Sequence, residues 1–202
     1  MKKILIMLSF IMGIIFNNYA DDLSDAKQVI QDTVDKVITV LRDPTFDKQT
    51  KRSNIMELIN PVFDFDLMAK LTLGRDHWSK FQGENKATFT DLFVRQLKNS
   101  YLSKAELFSD EVIEYDAPEN TASGKVSINT RIIRKDGPIK MLYKLYKKDG
   151  SWKIYDLEIQ EISIIKSYGS QYDQILKEHD VDYLLKELKD KVFTIESDSN
   201  SK

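Results

Sequence analysis

Cysteine is absent from all 202 residues. That excludes a disulfide, a thiol nucleophile, a zinc–thiolate site and a lipidated cysteine. Histidine occurs only as His77 and His179, and glycine numbers seven. Tight backbone cradles for nucleotide phosphates are therefore not expected, and no Gly-rich phosphate loop, Gly-x-Ser-x-Gly or His-Glu-x-x-His motif is present. With no ATP-binding loop, any work the chain takes part in must be driven from elsewhere. Basic excess is missing as well: 30 Lys+Arg stand against 32 Asp+Glu, spread rather than blocked. This argues against a nucleic-acid partner, which a basic face would mark. The one long apolar run, Ile4–Phe16, has 13 residues, short of the ~20 that span a bilayer.

That run has a telling frame. Lys2 and Lys3 precede it and Asn17-Asn18-Tyr19-Ala20 follows, the layout of a secretory signal peptide over residues 1–20 with cleavage after Ala20. An uncleaved N-terminal anchor is the alternative. The remaining 182 residues carry 28 Lys+Arg against 32 Asp+Glu, a net charge of −4, and 71 hydrophobic residues, about 39%. This suffices for one packed domain, expected over residues 21–196 of an exported, soluble protein. The polar stretch 197–202 is expected to be a disordered tail.

The pattern divides into a helical half, a strand-rich stretch and a helical close. After Ser24 as N-cap, Ala26, Val29, Ile30, Val34, Val37, Ile38 and Leu41 form one stripe at helical spacing, stopped by Pro44. A second helix is expected over Asp47–Asn60, with Ile55, Met56 and Ile59 inward. A third should start at Asp64 and end at Gly74, and a fourth should run from about Asn85 to Leu107. From Glu111 the period falls to two. Lys125–Arg134, Ile139–Lys148 and Ser151–Gln160 alternate, separated by Asp136-Gly137 and Asp149-Gly150, both hairpin signals. With Glu111–Tyr115 this predicts an antiparallel meander of about four strands. Helices at about Ser163–Glu178 and Val181–Phe193 should complete a single α+β domain.

Candidate chemistry is sparse. His77, beside Arg75 and Asp76, has the neighbours of a general base, but an ordinary surface or capping histidine at a helix end is the favoured reading. His179 reads as a solvated helix terminus. Asp156 and Glu158 share one strand face, where a carboxylate pair can do acid–base work; exposed edge-strand charges explain them as well. More prominent is a supply of aromatic and flexible apolar residues on the helices and one sheet face. Phe65, Met68, Leu73, Phe89, Phe93, Leu97 and Tyr101 lie on the first; Val126, Ile128, Met141, Tyr143, Leu145, Trp152 and Ile154 lie on the second. Periodicity alone describes a filled core and a hollow one in the same way.

Three segments carry a resemblance. The first runs from Phe63-Asp64-Phe65 through Leu73-Gly74-Arg75 to Trp78, and the second is the phenylalanine-rich Phe89–Tyr101. The third is Gly150-Ser151-Trp152-Lys153-Ile154-Tyr155-Asp156-Leu157, continuing into Ile162–Tyr172. In order and spacing these resemble the MlaC (toluene-tolerance) family, the periplasmic phospholipid-binding components of an ABC-type lipid-transport pathway. Ser167 and Gly169 stand where that family commonly has Asn and Arg, and Asp76 blurs the match after Arg75. The lost arginine removes a candidate phosphate partner. Glycine inside a helix, about 1 kcal/mol worse than alanine, is expected to loosen the turn there.

The resemblance implies helices packed on a twisted antiparallel sheet, with a lipid cavity between them. It implies a non-enzymatic, monomeric periplasmic carrier with no metal and no cofactor other than its phospholipid cargo. Such a carrier would shuttle lipid between an inner-membrane ABC complex and an outer-membrane lipoprotein–porin complex, maintaining outer-membrane lipid asymmetry. The tail-lining set it suggests is Phe65, Leu73, Phe93, Leu97, Tyr101, Ile128, Met141, Tyr143, Leu145, Trp152, Ile154, Ile165 and Tyr168. Two other classes remain open on the residues alone. One is a periplasmic chaperone-like interaction module with a solid core; the other is a small hydrolase using His77 or Asp156 as base.

Overall fold

A computed structural model describes residues 2–105, 111–122 and 124–200, with side chains for 22–102, 111–122 and 124–195. Its first helix, α1 (Lys2–Arg42), is continuous through Ser24, so Ser24 is not the N-cap expected of it. Residues 17–26 contain neither glycine nor proline, and nothing there halts a helix once it has begun. The stop is where Pro44 demands it: Asp43 Oδ1 accepts from the Thr45 N–H at 2.8 Å. Helix α2 (Lys48–Ile59) is capped by Asp47, whose Oδ1 accepts from the Thr50 N–H at 2.7 Å. Helix α3 (Phe65–Lys80) is capped by Asp64 and bends at Gly74, where φ 66° and ψ 176° interrupt the helix before it resumes. That backbone conformation is essentially reserved for glycine. The expected end at Gly74 is thus a bend. Helix α4 is Glu84–Ala105; the last two residues of the expected helix, 106 and 107, lie outside the described residues.

Among the described residues the sheet has six strands: β1 (Val112–Tyr115), β2 (Glu119–Ala122), β3 (Lys125–Ile133), β4 (Ile139–Lys148), β5 (Ser151–Ile159) and β6 (Ile162–Ser163). All pair antiparallel in the order β1-β3-β4-β5-β6, while β2 pairs with β3 beyond the end of β1. The expectation of about four strands missed two short ones, β2 and β6. The β4–β5 turn has Asp149 at φ 50° and Gly150 at φ 78°, both left-handed as a two-residue hairpin favours. The β5–β6 turn does the same with Gln160 and Glu161, at φ 49° and 67°. It carries no glycine signal, which is why the strand expected over Ser151–Gln160 was followed by no turn and no sixth strand.

Helix α5 (Ile164–Glu178) begins at the N-cap Ser163, and α6 (Val181–Asn200) runs past the expected end at Phe193. It enters the stretch expected as a disordered tail, of which Ser201 and Lys202 lie outside the described residues. Helix α1 lies against α2, β3 and β5; α3 packs on α4 and α5, and α4 on α6. The helical core is aromatic. The Phe93 and Tyr168 rings meet edge-on at 5.8 Å and Phe89 meets Tyr172 at 5.6 Å. The Tyr172 hydroxyl donates to Gln96 Oε1 at 2.8 Å. Gly169 leaves α5 helical throughout. It permits close approach, because a Cβ there would lie 2.7 Å from the backbone oxygen of Thr72 in α3.

Candidate apolar-ligand cavity

The sheet is bent by one extra residue. Lys144 pairs with Asp156 but Leu145 pairs with Ile154, so Tyr155 is a β-bulge, and bulges bend their strand and increase its twist. Met141 and Tyr143 on β4, and Ile154, Leu157 and Ile159 on β5, line one side of a cavity of about 370 Å³. Ile30, Val34, Val37, Ile38 and Leu41 of α1, with Ile55 and Ile59 of α2, line it as well. Phe63, Phe65 and Met68 contribute from the start of α3, and Leu97, Tyr101 and Leu102 from α4. Ile113, Thr130, Ile132, Ile139 and Ile164 complete the apolar wall. The volume falls within the roughly 300–1,000 Å³ of ligand pockets.

Polar atoms in this wall are few. Thr33 Oγ1 donates to the Val29 carbonyl at 2.7 Å, within its own helix. Lys98 Nζ donates to Asn60 Oδ1 at 3.0 Å and lies 4.9 Å from the centre of the Phe65 ring. Partial burial pulls the Lys98 ammonium below its usual range, with Asp91 offsetting a part. Burial pushes the Tyr101 hydroxyl up, and Tyr168 adds to that. The Tyr143 hydroxyl is pushed up by burial to about 12, with the Thr130 hydroxyl beside it working in the opposite direction.

The structure divides the sequence-derived lining set. Phe65, Leu97, Tyr101, Met141, Tyr143 and Ile154 border the cavity. Leu73, Phe93, Ile128, Leu145, Trp152, Ile165 and Tyr168 do not, and are packed into the filled core. Phe93 and Tyr168 are held in the aromatic contacts between α4 and α5, while Ile128 and Leu145 have no exposed surface at all. The largest omission was the α1 stripe, whose 3.6-residue period marks a buried face without saying what it faces.

The candidate catalytic groups sit elsewhere. Asp156 is only 4% exposed, so it is not an edge-strand surface charge. Its carboxylate accepts from Ser163 Oγ at 2.8 Å, Lys144 Nζ at 3.1 Å and the Ile165 N–H at 3.4 Å. Lys144 also pairs with Glu158. This set ties the start of α5 to the sheet face opposite the cavity wall. His77 Nε2 bonds Asp173 Oδ1 at 2.9 Å, joining α3 to α5. The His77 bond, with that from Lys177, lowers the Asp173 pKa. His179 closes α5 and stacks on Tyr183 with ring centres 3.8 Å apart. Neither histidine borders the cavity. Among the described residues no group of three or more His, Asp or Glu is placed to hold a metal ion, and no helix is long and apolar enough to cross a membrane.

Comparison with known proteins agrees with this architecture. The intermembrane phospholipid transport system binding protein MlaC of Haemophilus influenzae is 20% identical over 151 residues, covering 72% of this chain and 68% of the relative. A solved phospholipid-binding protein from Ralstonia solanacearum, in complex with a phospholipid, shares the fold with a TM-score of 0.76 at 23% identity. That likeness covers 85% of this chain and 98% of the other. The sequence profile of the MlaC protein family matches residues 31–190, from the cavity-lining part of α1 to the middle of α6. The chain belongs to the MlaC protein family.

Proposed function

We propose that this protein is a soluble periplasmic phospholipid carrier that takes up lipid tails in the cavity between α1, α2, α4 and the bent sheet. The observation that carries the reading is the cavity itself, about 370 Å³ with walls of aliphatic and aromatic side chains. At ~0.8 kcal/mol per methylene, two acyl chains of about 15 methylenes each oppose exposure to water by roughly 24 kcal/mol. Free lipid therefore does not cross an aqueous gap at a useful rate, and a carrier must enclose the tails. Hydrophobic walls suffice for that task, and methionine adapts to differing chains. The family, the phospholipid named for the Ralstonia structure and the transport role named for the Haemophilus relative support the same reading.

In this proposal residues 1–20 export the chain. Its partners are an inner-membrane ABC lipid-transport complex and an outer-membrane lipoprotein–porin complex, between which it exchanges lipid as a monomer. The test is mass spectrometry of organic extracts from natively purified protein. Stoichiometric phospholipid is expected in the wild type and severalfold less in Leu97→Trp or Ile132→Trp, each filling the cavity from a different wall. Lipid-free protein after gentle purification would favour a solid-core interaction module.

A further inference from the structure

The cavity wall carries hydroxyls that its packing does not need. Thr130 on β3 is 2% exposed and lines the cavity, and apart from a weak interaction with the Tyr143 hydroxyl beside it, its Oγ1 has no hydrogen-bond partner among the described residues. Tyr115 stands directly opposite it on β1, and the Tyr115 hydroxyl is also buried without a partner among those residues. Tyr143, on the neighbouring strand β4, lines the cavity too. Its hydroxyl donates to the Met141 sulfur at 3.9 Å, a weak acceptor. Two hydroxyls, of Thr130 and Tyr143, thus face one patch of a largely apolar wall, with the Tyr115 hydroxyl behind them.

Buried hydroxyls without partners cost free energy, and valine would fill the place of Thr130 with the same shape and no such cost. Burial raises both tyrosine pKa values, so each phenol keeps a proton to donate. The patch is therefore a donor site facing an apolar space, suited to an acceptor oxygen on a molecule that is otherwise hydrocarbon. In a diacyl glycerophospholipid, the oxygens on the tail side of the phosphate are those of the acyl esters.

We propose that Thr130 Oγ1 and the Tyr143 hydroxyl, backed by that of Tyr115, donate hydrogen bonds to an ester carbonyl of the bound lipid and so fix how deeply the tails enter. This rests on the carrier reading above and adds a selection for acyl esters over plain hydrocarbon chains.

The test is competition on the delipidated full-length chain between dipalmitoyl phosphatidylglycerol and its di-O-hexadecyl ether analogue, with retained lipid quantified by mass spectrometry. The two share headgroup and chain length and differ only in the carbonyls. Wild type is expected to favour the ester lipid about three- to tenfold, the range of one or two hydrogen bonds. In Thr130→Val/Tyr143→Phe, with folding checked by circular dichroism, the ratio should fall to near one. Each single substitution gives the same readout should the pair fail to fold. A wild-type ratio near one overturns the ester site while leaving the carrier intact, as does a folded double variant that keeps the preference. Retention of neither lipid by wild type overturns the carrier reading itself.

Discussion

Gly169 and Thr72 set the spacing of two helices: a Cβ on Gly169 would lie 2.7 Å from the Thr72 backbone oxygen. The obstacle is main chain, which cannot rotate aside. Gly169→Ala is therefore expected to destabilise the fold by about 1–3 kcal/mol, as overpacking does, despite alanine's better helix propensity. Gly169→Arg, which restores the residue common in the family, should be worse. Urea unfolding of the two variants measures both.

Gly74 makes the opposite case. Nothing lies within 4 Å of a Cβ placed there, but φ is 66° and ψ 176°. Gly74→Ala meets backbone strain without a clash, and a loss of about 1–3 kcal/mol is expected. A thermal melt of Gly74→Ala gives the size of the effect.

Asp156 is a buried carboxylate with three donors around it, from Ser163, Lys144 and Ile165. Asp156→Ala leaves Lys144 facing Glu158 alone and removes an acceptor at the start of α5. A loss of about 3 kcal/mol is expected, in line with breaking a buried pair. Lys144→Met should cost less, and the double variant should cost less than the sum of the two singles in a denaturation cycle.

Acid should act partly through Asp64. Burial raises the pKa of this carboxyl, but hydrogen bonds from Lys148, Tyr146 and the Leu67 N–H outweigh it and hold the pKa below the ordinary 3.8. Because the folded value is the lower one, Asp64 adds its full stability above the unfolded pKa and loses it as pH falls through the folded value. Wild type should lose melting temperature below about pH 4. Asp64→Asn should start lower at pH 7 and decline less steeply over that window.

Leu97 and Leu145 separate cavity from core. Both are buried, but only Leu97 borders the cavity. Leu97→Trp has room and should leave a folded protein with less co-purifying lipid. Leu145→Arg places an unpaired charge in filled space, and a loss of several kcal/mol is expected. Soluble yield and far-UV circular dichroism distinguish the two outcomes.

Much of the fold was legible in local chemistry. Asp149-Gly150 placed the ends of β4 and β5 within a residue of their observed positions, and Asp47 with Pro61 bounded α2. Local rules failed where one residue changes the geometry without changing the pattern. Tyr155 bulges out of an alternation that otherwise reads smoothly, and Gln160-Glu161 turns left-handed without glycine. The division of the lining set has the same origin. Tyr143 and Leu145 occupy equivalent places in one alternation and both belong to the core cluster, yet only the first meets the cavity. Which one a residue meets depends on the twist of the sheet and on what α1 does a hundred residues earlier. Neither is written in the period of the strand.

The α1 stripe also has a history in time. Ile30–Leu41 is made early, and the β3–β5 residues that share the cavity with it, Thr130 to Ile159, follow some hundred residues later. At about 5–20 residues per second of synthesis, five aliphatic side chains have no sheet to cover them for on the order of 5–20 s. The surface that lines the cavity in the finished protein is thus, in the nascent chain, an adhesive stripe awaiting its cover.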